Sequence, residues 1–219
     1  MLREYLRRIG LLVGGLLISA VGIQLMLQAN IGLEPWSVLQ QGISLTFGVT
    51  FGMASAIVGA VVILIAVLCG ESIGLGTLAN IVVCPAFLDI LALLGWVPQA
   101  KTLAGGVVML LVGLELLAIG TWMYMLSTLG VGPRDALMVV LARKTRRSVG
   151  LCRALTELIV IFVGWRLGGQ VGLGTVIAAV GLGSLFNLNF ALLHFNAAAQ
   201  KQENLPETIR RLRDRRASV

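Results

Sequence analysis

The chain has 219 residues, of which 58% are hydrophobic and only 12% charged, with a mean hydropathy of +0.95. Soluble domains are roughly a quarter charged, so this composition excludes them; at about 20 residues per membrane crossing, little length remains for a soluble catalytic domain. The net charge of +7 sits in clusters beside apolar runs, the pattern of a membrane topology signal and not of a basic nucleic-acid-binding face.

Arg3, Arg7 and Arg8 precede the first apolar run, Ile9 to Ala29. That run exceeds the roughly 7 to 15 residues of a signal-peptide core, so a retained helix is expected. Two long apolar segments follow, Gly52 to Cys69 and Gly74 to Leu94, and then three more, Thr102 to Leu126, Gly150 to Leu167 and Gly172 to His194. Shorter helices opened by proline are expected at Pro35 to Phe47 and Pro133 to Arg143. At 1.5 Å per residue each reaches about 20 Å, short of a hydrocarbon core of about 30 Å. They either re-enter or cross obliquely, which leaves six or eight spans. Pro85 in one long helix and Gly183 in another predict a kink or unwinding at matching depth.

Arg143, Lys144, Arg146 and Arg147 form an internal basic cluster, and Lys201, Arg210, Arg211, Arg213, Arg215 and Arg216 fill the tail. By the positive-inside rule all three clusters, and both termini, belong on the cytoplasmic side. Within the tail, Pro206 to Arg213 either forms a short basic helix on anionic headgroups or stays solvated. Cys69, Cys84 and Cys152 lie in apolar runs and His194 is the one histidine, a pattern that predicts neither disulfide nor metal site. No cofactor is implied.

The chain repeats itself. Gly32-Leu33-Glu34-Pro35-Trp36-Ser37-Val38-Leu39 returns 98 residues later as Gly130-Val131-Gly132-Pro133-Arg134-Asp135-Ala136-Leu137, and Gly74-Leu75-Gly76-Thr77 returns at the same interval as Gly172-Leu173-Gly174-Thr175. Internal duplication in so apolar a chain is common construction among secondary transporters. The expected organisation is all-α: a first membrane repeat over 1–98, a second over 99–196 and a basic cytoplasmic tail over 197–219. Each half is expected to hold three long transmembrane helices and one short proline-initiated helix. Leu45 to Val49 carries no charge whereas Arg143 to Arg147 carries four positive ones. Loops on opposite sides of the membrane explain that difference, which favours inverted halves.

The proline turns are the leading candidates for chemistry. A helix that starts inside the protein presents unpaired amides and the positive end of its dipole, which attract anions. If the two turns meet, Glu34, Trp36, Ser37, Arg134 and Asp135 surround a central substrate site. Arg134 suits a carboxylate or phosphate through its forked donors; Asp135 binds ligand or caps its helix; Trp36 offers an aromatic face or belongs to the interfacial belt. Ionisable groups in lipid are costly and demand a reason. Glu115, mid-span, is expected to couple protons or to pair with Arg153. Arg153 and Glu157, four apart on one helix, read as a structural pair. Thr77, Asn80, Asp89, Thr175 and Asn187 are expected to line a cavity or to satisfy helix backbones.

The Gly-x-x-Pro turns, the Gly-x-Gly-Thr helix starts and Pro85 followed by Asp89 resemble the YczE/YyaS/YitT family of bacterial inner-membrane proteins over about residues 5–196. The resemblance implies a small integral membrane protein of a group described as transporters or left uncharacterised, and supplies neither catalytic residue nor substrate. Longer YitT-like members carry an additional cytoplasmic domain where this chain has a basic tail, so any regulatory role of that domain does not transfer. The expectation is a non-enzymatic inner-membrane transporter of a small anionic or zwitterionic molecule, working by alternating access and proton-coupled through Glu115. Its partners are the lipid bilayer and a small-molecule substrate, with a homo-oligomer left open. The alternative is an accessory protein that binds a partner through Arg143 to Arg147 and the tail.

Overall fold

The computed structural model describes residues 2–130, 132–195, 200, 202–205, 207, 208 and 210. Lys201, Arg211, Arg213, Arg215 and Arg216 of the expected tail cluster lie outside the described residues. Of the expected tail helix, Glu207, Thr208 and Arg210 are described, and they are helical. Among the described residues the fold is all-helical: α1 Leu2–Ala29, α2 Pro35–Phe47, α3 Phe51–Leu68, α4 Leu75–Leu94, α5 Leu103–Leu126, α6 Pro133–Thr145, α7 Val149–Arg166 and α8 Leu173–Leu192. The helices α2, α3 and α4 have the same lengths as α6, α7 and α8, 13, 18 and 20 residues. Five helices are long and apolar enough to span a bilayer (α1, α3, α4, α5 and α8), and α6 with α7 makes a sixth candidate bent by 117°.

Helix α1 begins at Leu2, ahead of the apolar run, because Leu, Glu and Arg are good helix formers and the charged residues extend the helix past its apolar stretch. Of the two expected outcomes at Pro85, kink or unwinding, the unwinding does not occur. Helix α4 runs unbroken from Leu75 to Leu94, as a proline in a packed membrane helix can when neighbours re-satisfy its freed backbone groups. Helix α8 likewise continues through Gly183.

Hydrogen bonds sort the helix ends into two layers. At one end of the bundle Ala100 N donates to Gln28 O at 2.8 Å, Gln170 Nε2 to Asn30 Oδ1 at 2.9 Å, and Thr46 Oγ1 to Leu167 O at 2.9 Å. Asp89 joins them by accepting from Thr50 Oγ1 at 2.7 Å and Gly52 N at 2.9 Å. At the other end Arg8 pairs with Glu203, Glu203 N donates to Thr128 O, Leu205 N to Ile73 O, and Arg143 pairs with Glu71. Helix α2 therefore returns to the end where α1 finished, and α6 to the end where α5 finished. Both short helices are re-entrant in geometry and do not cross the bundle.

The centre is the crossing of α1 and α5, the most extensive helix pair in the fold. A Cβ on Gly22 would lie 2.5 Å from Gly113 O, and one on Gly113 would lie 2.7 Å from Gly22 O. Gly15 and Gly120 oppose each other in the same way, at 2.7 and 2.6 Å. The order of these pairs makes α1 and α5 antiparallel. With no side chain between them the backbones approach closely, the packing mode that replaces the hydrophobic effect between helices in lipid. Gly22→Ala is expected to lower the thermal midpoint of the detergent-purified protein, since a methyl forced against backbone costs about 1–3 kcal/mol. Gly10→Ala, which meets nothing within 4 Å, does not lower the midpoint in the same measurement, since alanine is the better helix former.

A charged cavity at the starts of the two short helices

Between α1 and α2 the chain turns back on itself. Asn30 and Gly32 take φ of 54° and 108°, and Thr128 and Gly130 take 57° and 132° before α6. At Gly32 and Gly130 the value falls in the left-handed half of backbone space, which favours glycine. Each extended segment is tied to the start of a distant helix: Gly174 N donates to Ile31 O, and Gly76 N to Leu129 O, both at 2.7 Å. Thr77 and Thr175 serve these same helix starts, their hydroxyls accepting from Gly74 N at 3.3 Å and Gly172 N at 3.2 Å. The result carries the starts of α2 and α6 inward, to the level of Ser19 and Ile23 on α1 and Leu117 and Thr121 on α5.

There they bound a cavity of about 140 Å³ whose walls include Glu34, Trp36, Arg134 and Asp135. Glu34 caps α2. Its Oε1 accepts from Ser37 N at 3.0 Å and Ser37 Oγ at 2.8 Å, and its Oε2 from Trp36 N at 3.1 Å. The side chain is fully buried, and its charge is met by Arg134 Nη1 at 3.1 Å. The Arg134 guanidinium also lies 5.3 Å from the Trp36 ring centre, within cation–π range. The two proline turns thus meet at depth, joined by an ion pair.

Asp135 accepts from the buried Tyr124 hydroxyl at 2.8 Å. A second pair, Arg153 Nε to Glu157 Oε1 at 2.7 Å, closes another wall, with the Arg153 guanidinium 5.8 Å from the Phe186 ring centre. The pair read from spacing as structural is formed, and it also faces the cavity. Ser19 and Gln40, both buried, line the cavity too, and Ser19 Oγ and Gln40 Oε1 have no hydrogen-bond partner among the described residues.

The other expected site residues fall elsewhere. Ser37 is consumed by Glu34 and does not line the cavity. Of the residues expected to line a cavity or to satisfy helix backbones, Asn80 lines it; Thr77, Thr175 and Asp89 accept from backbone amides at the starts of α4, α8 and α3, and Asn187 is exposed on α8. Glu115 accepts from Asn189 Nδ2 at 3.2 Å and is absent from the cavity wall, while Arg153, once its expected partner, is taken by Glu157. The reason in each case is packing geometry that spacing along one helix does not encode. Tyr124, Ser19, Gln40 and Thr121 were missed. A tyrosine in the last turn of an apolar helix reads as an interfacial aromatic, and a serine among small residues reads as packing; the sole signal for Tyr124 was its polar hydroxyl within a span.

The chain matches a family of unknown function, DUF6198, over residues 6–189, and belongs to it. It is 36% identical over 179 residues to an uncharacterised protein of Haemophilus influenzae, covering 82% of this chain and 81% of that protein. It is 29% identical over 197 residues to the uncharacterised membrane protein YczE of Bacillus subtilis, covering 85% of this chain and 91% of the relative. No solved structure matches it at a significant level. The chain is therefore a membrane protein of the YczE-like group, in agreement with the resemblance carried by its glycine and proline motifs.

Removing the Glu34 side chain strips a helix start of its cap and leaves Arg134 without its counter-charge. Glu34→Ala is expected to cost about 3 kcal/mol or more, the usual penalty for breaking a buried pair. Thermal unfolding in detergent measures it. Glu34→Gln, which keeps acceptor capacity but not the charge, falls between that variant and wild type.

Proposed function

We propose that this protein is a secondary transporter of a small anionic or zwitterionic molecule, built from two inverted halves that alternate access to the cavity between them. It resides on this reading in the bacterial inner membrane with both termini in the cytoplasm. The observation that carries it is the Glu34–Arg134 ion pair, which joins the starts of two re-entrant helices at the wall of a charged cavity deep in the bundle. Transporter sites form at repeat interfaces with interrupted helices, and irregular backbone is tolerated in a membrane where it is buried in protein or lines a cavity.

Several features favour inversion. Helices α2, α3 and α4 start 98 residues before α6, α7 and α8. The contacts are reciprocal at that offset: Gly15 with Gly120 matches Gly113 with Gly22, and Ile31 with Gly174 matches Leu129 with Gly76. Reciprocity of this kind is the mark of a two-fold axis. Since α1 and α5 occupy corresponding places and run antiparallel, the axis lies in the membrane plane. The basic residues Arg3, Arg7, Arg8, Arg143, Lys144, Arg146 and Arg147 fall at one end of the bundle, which supports placing that end in the cytoplasm. Cysteines introduced at Phe47 and Trp96 are expected to react with a membrane-impermeant maleimide from outside intact cells, and one at Arg146 only after permeabilisation. Equal labelling of all three from outside removes the inverted arrangement.

The reading is of a carrier, not a catalyst; Glu115, which accepts one hydrogen bond from Asn189 and lies off the cavity wall, is its candidate for proton coupling. Solute flux in vesicles of purified protein tests it. Arg134→Ala is expected to abolish flux, whereas Arg143→Ala at the exposed basic loop leaves it intact. The exposure of Lys144, Arg146 and Arg147 favours, as a second reading, an accessory protein docking through this loop. Absence of flux for every solute, together with a copurifying partner lost in Arg143→Ala, selects it.

A further inference from the structure

The charges around the cavity do not balance. Glu34 is paired with Arg134 and Glu157 with Arg153. Asp135 lines the same cavity and accepts from a neutral phenol, the Tyr124 hydroxyl at 2.8 Å. Taken as ionised, the lining groups hold one negative charge in excess, in a setting where an uncompensated charge is expensive.

A second, independent deficit points the same way. Gln40, 3% exposed, lines the cavity, and its Oε1 has no hydrogen-bond partner among the described residues; that oxygen is sealed in the resting arrangement and reaches a solute by rotation of its amide. Buried acceptors are normally satisfied, and those that are not call for a missing donor. A protonated amine supplies both the positive charge that Asp135 lacks and up to three N–H donors for the Asp135 carboxylate and, once its amide turns, Gln40 Oε1. The two guanidinium groups use one nitrogen each in their ion pairs, so donors remain for a carboxylate on the same solute. A cavity of comparable volume in another protein accepts benzene, so about 140 Å³ suits a solute of roughly six non-hydrogen atoms.

We propose that Asp135, held in place by Tyr124, is the counter-charge for a positively charged nitrogen of the solute, so that the cavity takes a small amino acid-like zwitterion and not a simple anion. This rests on the transport reading and narrows it. Gly132 belongs to the same subsite: a Cβ there would lie 2.7 Å from the Tyr124 hydroxyl and 3.2 Å from Asp135 Oδ2, so even alanine disturbs the pair.

The test compares three probes on the full-length protein in detergent: β-alanine, propionate, which lacks the amine, and ethylamine, which lacks the carboxylate. Thermal shift and direct binding are read for wild type, Asp135→Asn and Tyr124→Phe, each first checked for an unchanged monodisperse profile without ligand. β-Alanine is expected to stabilise wild type more than either fragment. Asp135→Asn is expected to weaken β-alanine by about tenfold or more, the loss typical of a charge-assisted contact, and not to weaken propionate, from which a like charge has been removed. Tyr124→Phe, which frees the carboxylate to turn, weakens β-alanine less. If propionate binds wild type as well as β-alanine does, and Asp135→Asn changes neither, the cavity is an anion site: the zwitterion proposal is overturned while transport stands. If Asp135→Asn still binds β-alanine but loses pH-gradient-driven uptake, the carboxyl carries a proton instead, and the proposal is again overturned. If none of the probes binds wild type, the proposal fails; if in addition no solute of any class moves across vesicles, the transport reading fails with it.

Discussion

The whole arrangement depends on keeping backbone N–H and C=O groups paired where there is no water to pair them. Between α1 and α2, and again between α5 and α6, the chain leaves the helix and runs inward, and in lipid such a stretch would be prohibitive. It is accommodated by the free amides at the starts of α8 and α4. Gly174 and Gly76 donate to Ile31 and Leu129, and glycine at 172, 174, 74 and 76 lets the two backbones come within reach. These two contacts are what allow short helices to begin in the middle of the bundle, and a cavity to exist between their starts.

Once the helix starts are buried, their unpaired amides and dipoles must be answered. Glu34 does this for α2 by accepting from two backbone amides and a hydroxyl, but it brings a charge into the bundle. Arg134 neutralises that charge from the other half of the chain. The cap of one short helix is therefore completed by the first turn of the other, and the two cannot separate without exposing a charge on each side. An ion pair placed in this way ties the starts of the two short helices to each other. Trp36 and Arg134, which occupy matching positions in the two motifs, end up stacked on each other.

The crossing of α1 and α5 supplies the frame for this. Gly15, Gly22, Gly113 and Gly120 remove the side chains that would hold the helices apart, and the exposed flanks of α3, α4, α7 and α8 carry leucine, isoleucine, valine and phenylalanine outward, where lipid covers them. Polar groups are correspondingly concentrated inside, on the cavity wall and at the helix starts.

Composition and periodicity by themselves determined that the chain is helical, that it belongs in a membrane, that its elements recur at an interval of 98 residues, and that the proline turns carry the polar residues of interest. All of these are local properties: length of apolar runs, proline at a helix start, glycine where φ turns positive. Asn80, Glu34, Trp36, Arg134 and Asp135 were legible because they sit in or near such motifs. Tertiary structure alone decided which polar groups face one another. Nothing in the spacing of Tyr124 marks it as the partner of Asp135, or brings Gln40 to the cavity, or assigns Glu115 to Asn189 and Arg153 to Glu157. Nor could helix length tell a re-entrant helix from an oblique crossing, because that depends on which distant helix start accepts the returning backbone. The physical reason is common to both: in lipid a polar group must find a partner, but its identity is set by how glycine-lined helices cross, and that is a property of the assembled bundle.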